Sequence, residues 1–327
     1  MPTPLLTVEN LRVEFPTRRG TLVAVDDVSF TLDEGEVLGV VGESGAGKSL
    51  TGMSIIGLLD SPGRLGGGIV TLEGERIDNL RYEEMRRIRG KKVGMIFQDP
   101  LTSLNPLYSI GRQLIETIVT HTELSPTRAR KRAIDLLKEV GIPAPERRVD
   151  DYPHQFSGGM RQRVVIALAL CANPRLVIAD EPTTALDVSI QAQIISLLKQ
   201  TCREHQAAVM LITHDMGVIA ETAERVAVMY AGRLVEIGPV RETIKNPHHP
   251  YTRGLMGSIP TIGARTERLT QIEGTMPRLS EIPAGCAFHL RCPHALEKCK
   301  RSRPDLHPVN ESQTACWLYE SEAPAHE

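Results

Sequence analysis

Val37-Leu38-Gly39-Val40-Val41-Gly42-Glu43-Ser44-Gly45-Ala46-Gly47-Lys48-Ser49 decides the fold of this chain. From Gly42 onward it fits G-x-x-x-x-G-K-[ST], the pattern of a phosphate-binding loop. The apolar run before it reads as a buried parallel strand. Lys48 to Leu59 reads as the helix behind the loop. The glycines let the backbone wrap closely around phosphate oxygens, so successive N–H groups and a helix N-terminus point at negative charge. In this pattern the lysine, Lys48, reaches the β- and γ-phosphates and the serine, Ser49, ligates Mg²⁺. The predicted nucleotide-binding stretch is Gly42, Glu43, Ser44, Gly45, Ala46, Gly47, Lys48, Ser49 and Leu50.

The chain has 327 residues, room for one large domain and a smaller one. A hydrophobic share of 41% and a charged share of 24% suit a soluble globular protein. The net charge of −2 gives no footprint for nucleic acid. The longest apolar run, Val164 to Ala172, is too short to span a bilayer. Met1-Pro2-Thr3-Pro4 shows no positive or apolar leader, so a cytosolic chain is expected. In that compartment the six cysteines are free thiols or metal ligands rather than disulfides. The acidic stretch Glu320 to Glu327 is expected to fray.

Residues 1–98 read as short strands (Leu6–Phe15, Val23–Leu32, Glu36–Val41, Ile69–Leu72, Val93–Phe97) with the phosphate loop among them. The first strands are expected to be antiparallel, with an inserted hairpin at Pro16–Leu22. Gly66-Gly67-Gly68 reads as punctuation before the return to strand. Residues 99–163 are cut by prolines into helical pieces, among them Ile110–Thr120 and Thr127–Val140, and read as an inserted helical subdomain. Over 164–240 the α/β core resumes, after a helix that starts at Gly158. It holds strand Leu176–Asp180, helix Ile190–His205, strand Ala208–Thr213, and strands Val226–Tyr230 and Arg233–Ile237. Residues 241–327 turn Pro- and Arg-rich and read as a separate extension.

Leu176-Val177-Ile178-Ala179-Asp180-Glu181 is an apolar strand ending in two acids, and charges at a buried strand end need compensation. Asp180 is placed to hold Mg²⁺ and Glu181 to polarise an attacking water. Phe156-Ser157-Gly158-Gly159-Met160 opens a helix with an N-cap serine and two glycines, an arrangement that grips anion. Here the chain resembles the ATP-binding cassette (ABC) transporters, whose signature loop reads Leu-Ser-Gly-Gly-Gln. It departs from that loop at Phe156 and Met160.

That resemblance implies a phosphate-loop ATPase core of RecA type with an antiparallel β subdomain, an inserted helical subdomain and a small Cys-containing extension. It implies ATP and Mg²⁺ as ligands, with Ser49, Gln98 and Asp180 at the metal, Glu181 and His214 catalytic, and Asp187 in the loop along a dimer interface. Phe15 is the candidate for stacking on adenine. Ser157, Gly158, Gly159 and Met160 face the partner's nucleotide. The stretches Gln98–Pro106, Asp180–Val188 and Asn246-Pro247-His248-His249-Pro250-Tyr251-Thr252 resemble the dipeptide/oligopeptide importer branch, most like its first ATPase subunit. Implied partners are a second related ATPase subunit, two transmembrane permease subunits and an extracytoplasmic peptide-binding protein, with no nucleic acid. The implied place is peripheral, on the cytoplasmic face of the inner membrane. An importer of nickel or another small solute, a soluble cassette of repair or translation, and a non-enzymatic regulatory cassette are the alternatives.

Cys286, Cys292, Cys299 and Cys316 lie in a tail with little apolar periodicity, which needs a staple. Four thiolates suit zinc or an iron–sulfur cluster, and free thiols or disulfides stay open. The resemblance implies a 4Fe–4S cluster, expected to fold the extension with little effect on the nucleotide site. Cys171 and Cys202 read as packing residues.

Overall fold

The computed structural model describes residues 3–184, 186–258 and 271–322. Its strands are β1 (Leu6–Thr17), β2 (Gly20–Leu32), β3 (Val37–Val41), β4 (Arg64–Leu72), β5 (Glu75–Arg76), β6 (Val93–Ile96), β7 (Leu176–Asp180), β8 (Ala208–Ile212), β9 (Arg225–Tyr230), β10 (Arg233–Pro239), β11 (His307–Val309) and β12 (Ser312–Thr314). Its α-helices are α1 (Lys48–Ile55), α2 (Tyr82–Ile88), α3 (Pro100–Ser103), α4 (Ile110–His121), α5 (Pro126–Glu139), α6 (Pro145–Arg148), α7 (Gly158–Leu170), α8 (Val188–Glu204), α9 (Met216–Thr222), α10 (Val240–Lys245), α11 (Pro250–Gly257) and α12 (Glu297–Arg301). None of these helices is long and apolar enough to cross a membrane. Of the segments read from sequence, Met1-Pro2, Ala185, residues 259–270 of the extension and residues 323–327 lie outside the described residues.

The chain forms two compact units. One comprises Leu72–Ile212 with Leu32–Val37 and the chain start to Leu6. Strands β6, β7 and β8 run parallel there, with Val93 beside Leu176 and Ile96 beside Ala179, then Leu176 beside Ala208 and Asp180 beside Ile212. Every residue of β7 and β8 is buried, as expected of parallel strands covered on both faces. The inserted helices bury regular stripes: Ile110, Leu114 and Ile118 on α4, and Ala129, Ala133, Leu136 and Leu137 on α5.

The other unit comprises Thr7–Thr31, Leu38–Thr71 and the chain from Thr213 onward. Strands β2, β1 and β4 lie side by side in that order. The link between β1 and β2 is only Arg18-Arg19, which makes them an antiparallel hairpin. The expected insertion at Pro16–Leu22 is therefore the tip of two long strands. A second group runs β11, β12, β10, β9 and β3, antiparallel until β9 meets β3 in parallel.

Three readings need correction. Gly66, Gly67 and Gly68 do not precede a strand; they sit inside β4. A Cβ on Gly68 would lie 2.6 Å from Leu11 Cα, so the β1 backbone passes too close for a side chain there, whereas one on Gly66 would meet only the Glu14 side chain (2.4 Å). Helix α1 stops at Ile55 rather than Leu59. Gly57 N–H donates to Ser54 O (3.2 Å) and Leu58 N–H to Met53 O (2.9 Å), closing the helix end. The extension is not separate, because β12 pairs with β10, with Glu236 beside Thr314 and Ile237 beside Gln313.

Cys171 and Cys202 are buried in the first unit, and burial pushes both thiols up to about 12. A thiol that stays protonated is a poor nucleophile. Iodoacetamide at mildly alkaline pH is expected to leave both unmodified in the folded chain and to alkylate both in denaturant. Mass spectrometry of the peptides reads the outcome, and prompt native labelling of either would contradict this packing.

Candidate functional site

The phosphate loop leaves β3 beside β9, where the register sets Val41 opposite Val228. At Gly42, φ is 151° and a Cβ would stand 2.3 Å from Met229 O, so the loop can leave the strand this way only without a side chain. The β9–β10 turn, Ala231-Gly232, has positive φ at both residues and returns Gly232 N–H to Ala46 O (2.9 Å). Gly47 caps α1, and Thr51 Oγ donates back to Gly47 O (3.0 Å). Lys48 is only 5% exposed. Its Nζ donates to Gly42 O (2.7 Å) and Glu43 O (3.1 Å), carbonyls that a cation needs when it leaves bulk water. The first turn of α1 carries no acidic residue, which leaves the positive helix end open to an anion.

His214 is exposed, between Thr213 and Asp215. Thr213 N–H donates to Val40 O (3.1 Å), and Asp215 Oδ1 caps α9 by accepting from Gly217 and Val218 N–H (2.7 and 3.2 Å). The histidine is thus held at its backbone from both sides. Phe15 is half-buried on β1, and its ring lies 2.9 Å from where a Cβ on Gly63 would sit.

In the other unit, Asp180 ends β7 at 3% exposure. Glu181 follows with φ 45°, a left-handed conformation that costs a non-glycine residue on the order of 1 kcal/mol. Its N–H donates to Ile212 O (2.9 Å), which holds that conformation. The β6–β7 register carries Gln98 alongside Glu181, and Gln98 Nε2 donates to Glu181 Oε2 (3.0 Å). Thr184 Oγ1 donates to the same oxygen (2.8 Å). Ser157 caps α7, its Oγ accepting from Met160 N–H (3.3 Å). Phe156, where the signature loop has leucine, is 2% exposed, so the position asks for a buried apolar side chain and phenylalanine meets it. Gly158 is exposed and Gly159 half-exposed, with Ile190 Cγ2 3.0 Å from a Cβ built on Gly159. Asp187 is exposed at the start of α8.

Cys286, Cys292, Cys299 and Cys316 line one small cavity with His249, Phe288 and Trp317. Burial pushes the Cys286 and Cys316 thiols up to about 11 and also raises Cys292. Among the described residues, no three His, Cys, Asp or Glu side chains converge where one metal ion could sit. The four cysteines expected to bind a metal thus share one cavity without forming a group that could hold one.

Several residues here escaped the sequence reading. Thr184 was quotable only as part of Asp180–Val188, although a hydroxyl three residues past the acid is within reach of it. Arg291 had no signal. Its Nη1 meets both Glu43 carboxylate oxygens (3.0 and 3.1 Å) across 248 residues of sequence. Tyr251, within the Asn246–Thr252 stretch, accepts Glu43 N–H at its hydroxyl (2.8 Å).

Residues 25–184 match the family described as ABC transporter, and residues 235–299 match the oligopeptide/dipeptide transporter C-terminal region. The oligopeptide transport ATP-binding protein OppD of Bacillus subtilis (strain 168) is 49% identical over 98% of this chain and 91% of its own length. The dipeptide transport ATP-binding protein DppD of Haemophilus influenzae is 46% identical over 95% of this chain and 94% of its own. A dimeric ATP-binding cassette solved in a post-hydrolysis state with ADP and Pi aligns with TM-score 0.64 and 32% identity, over 72% of this chain and 99% of its own. The cassette cbiO1 from Clostridium perfringens aligns with TM-score 0.64 and 28% identity, over 75% and 92%. With the loop, the strand-end acids and the capped signature helix in one chain, these likenesses place it: the protein belongs to the ABC transporter family of ATPases, among the oligopeptide and dipeptide transport ATP-binding proteins.

Proposed function

We propose that this chain is the ATP-hydrolysing subunit of an importer for di- or oligopeptides and drives transport through separate membrane subunits. The observation that carries the mechanism is the hydrogen bond from Gln98 to Glu181 (3.0 Å). It ties the proposed base to the head of segment 97–108, where Phe97, Leu101 and Leu107 are 37%, 63% and 79% exposed. Apolar side chains left in solvent this way suit docking by a permease subunit. The peptide class is supported by the match over 235–299 and by the relatives' names.

In this reading residues 42–50 bind the triphosphate through backbone N–H groups, and Lys48 moves from its two carbonyls to the β- and γ-phosphates. Ser49, Gln98 and Asp180 would hold Mg²⁺, which when bound neutralises phosphate charge; the Asp180 carboxylate is the hard oxygen donor such a cation takes. Glu181 accepts the proton of the attacking water, with Gln98 and Thr184 fixing one of its oxygens. His214 contacts the γ-phosphate and Phe15 stacks on adenine. Ser157, Gly158, Gly159 and Met160 meet the nucleotide held by a second, related ATPase subunit, with Asp187 along that interface. Closure of the two cassettes drives two permease subunits, and an extracytoplasmic peptide-binding protein delivers the solute to them. The chain works at the cytoplasmic face of the inner membrane.

Cys286, Cys292, Cys299 and Cys316 are proposed to ligate one 4Fe–4S cluster. What supports this reading is that the four thiols line one cavity, and that thiolates are the donors such a cluster takes. Thiolate ligation releases protons and supplies folding free energy to a segment with a small core.

Two outcomes are expected. Glu181→Gln keeps the shape of the side chain and removes the base. With the partner site inactivated, single-turnover hydrolysis in the assembled complex falls by about a hundredfold or more while ATP still binds. Near-normal turnover would remove Glu181 from the role of base. Anaerobically purified chain is brown and carries about four irons. One zinc and no iron would replace the cluster with a Cys₄ zinc site.

A further inference from the structure

Glu236 is fully buried on β10, a carboxylate placed where only hydrogen bonds can hold it. It spends both oxygens on one turn: Oε1 accepts from His248 N–H and Oε2 from His249 N–H, each at 2.9 Å. His249 Nδ1 then accepts from Tyr251 N–H (3.0 Å), which starts α11 and directs the fully buried Tyr251. The Tyr251 hydroxyl accepts from Glu43 N–H (2.8 Å). Burial raises the Tyr251 pKa, so that hydroxyl stays neutral. The Asn246–Thr252 stretch, so far only a mark of the family branch, thus ends on the phosphate loop.

A second arm comes from between the cysteines. Arg291, next in chain to Cys292, has a side chain only 7% exposed. Its Nε donates to Glu273 O (2.9 Å), and Nη2 donates to Gly274 O (3.3 Å). With its orientation set by these carbonyls, Nη1 holds the Glu43 carboxylate. Met276 Cε closes on the same loop, 3.0 Å from where a Cβ on Gly45 would stand. Three contacts therefore meet on Glu43: a hydroxyl on its N–H, a guanidinium on its carboxylate, and the Lys48 ammonium on its carbonyl.

We propose that the C-terminal extension clamps the phosphate loop, with Arg291 and Tyr251 as positioning residues that set Glu43 and through it Lys48 for nucleotide. Arg291 also neutralises a carboxylate that would otherwise face the triphosphate from within the loop. The inference rests on the reading of residues 42–50 as the nucleotide loop. It assigns the extension a task at the nucleotide site, beyond folding itself.

The test is the affinity of the full-length chain for a fluorescent ATP analogue with Mg²⁺. Arg291→Ala is expected to weaken binding about tenfold and Tyr251→Phe severalfold, while Arg291→Lys, which keeps a charge for Glu43 but loses the bonds to Glu273 O and Gly274 O, recovers only part of the loss. Arg303→Ala is the control; it removes another arginine of the extension, one that pairs with Asp26 (2.6 Å) and not with the loop, and leaves affinity within about twofold. Tyr251→Phe keeps the buried ring, so it remains readable if Arg291→Ala folds poorly. Wild-type affinity in folded Arg291→Ala and in Tyr251→Phe would overturn the clamp. So would an equal loss in Arg303→Ala, which would reduce the effect to general loosening of the extension. Lys48→Ala separates the two claims: unchanged binding there would refute the nucleotide loop itself, whereas lost binding there with normal Arg291→Ala would refute only the clamp.

Discussion

A buried ammonium is the constraint around which this protein is arranged. Lys48 at 5% exposure cannot rely on bulk water, so the carbonyls of Gly42 and Glu43 must be turned inward to meet it. Turning them inward requires Gly42 in a conformation closed to other residues and pressed on the carbonyl of Met229. That in turn requires β9 beside β3 in one register, and the Ala231-Gly232 turn reaching back to Ala46. Strand register, turn and glycine placement thus all bear on how one buried positive charge is held.

The strand-end acids show a comparable economy in the other unit. A parallel register that aligns Ile96 with Ala179 carries Gln98 to Glu181 without any further device. The left-handed backbone at Glu181 donates to Ile212 O, and its carboxylate accepts from Gln98 and Thr184. If Glu181 is the base proposed above, this is strain at a reacting residue held by ordinary sheet geometry.

How much of this was legible in the sequence follows from how local each interaction is. The phosphate loop was legible because its glycines, lysine and serine are contiguous and each answers a separate chemical need. The acids Asp180-Glu181 were legible because charge at the end of an apolar strand asks for a reason. Gln98 was legible only through resemblance, since its partner lies 83 residues away. Gly66, Gly67 and Gly68 were misread as punctuation, since the close passage of the β1 backbone at Gly68 is not local in sequence. Arg291 was invisible for the same reason: one arginine among many in a Pro- and Arg-rich tail gives no sign of the carboxylate it meets. The tail looked detached because its apolar periodicity is weak, yet β12 pairs with β10, β11 with β12, and its polar side chains reach the loop.

On the proposed function, this chain couples ATP hydrolysis to peptide entry through other subunits. This coupling is tested most directly by reconstituting the chain with its ATPase partner and permease subunits in vesicles and adding the cognate binding protein, with and without peptide. Hydrolysis is expected to rise when the binding protein carries peptide, with peptide accumulating on the side opposite its addition. Hydrolysis indifferent to peptide, or stimulated instead by nickel or another small solute on its binding protein, would contradict it.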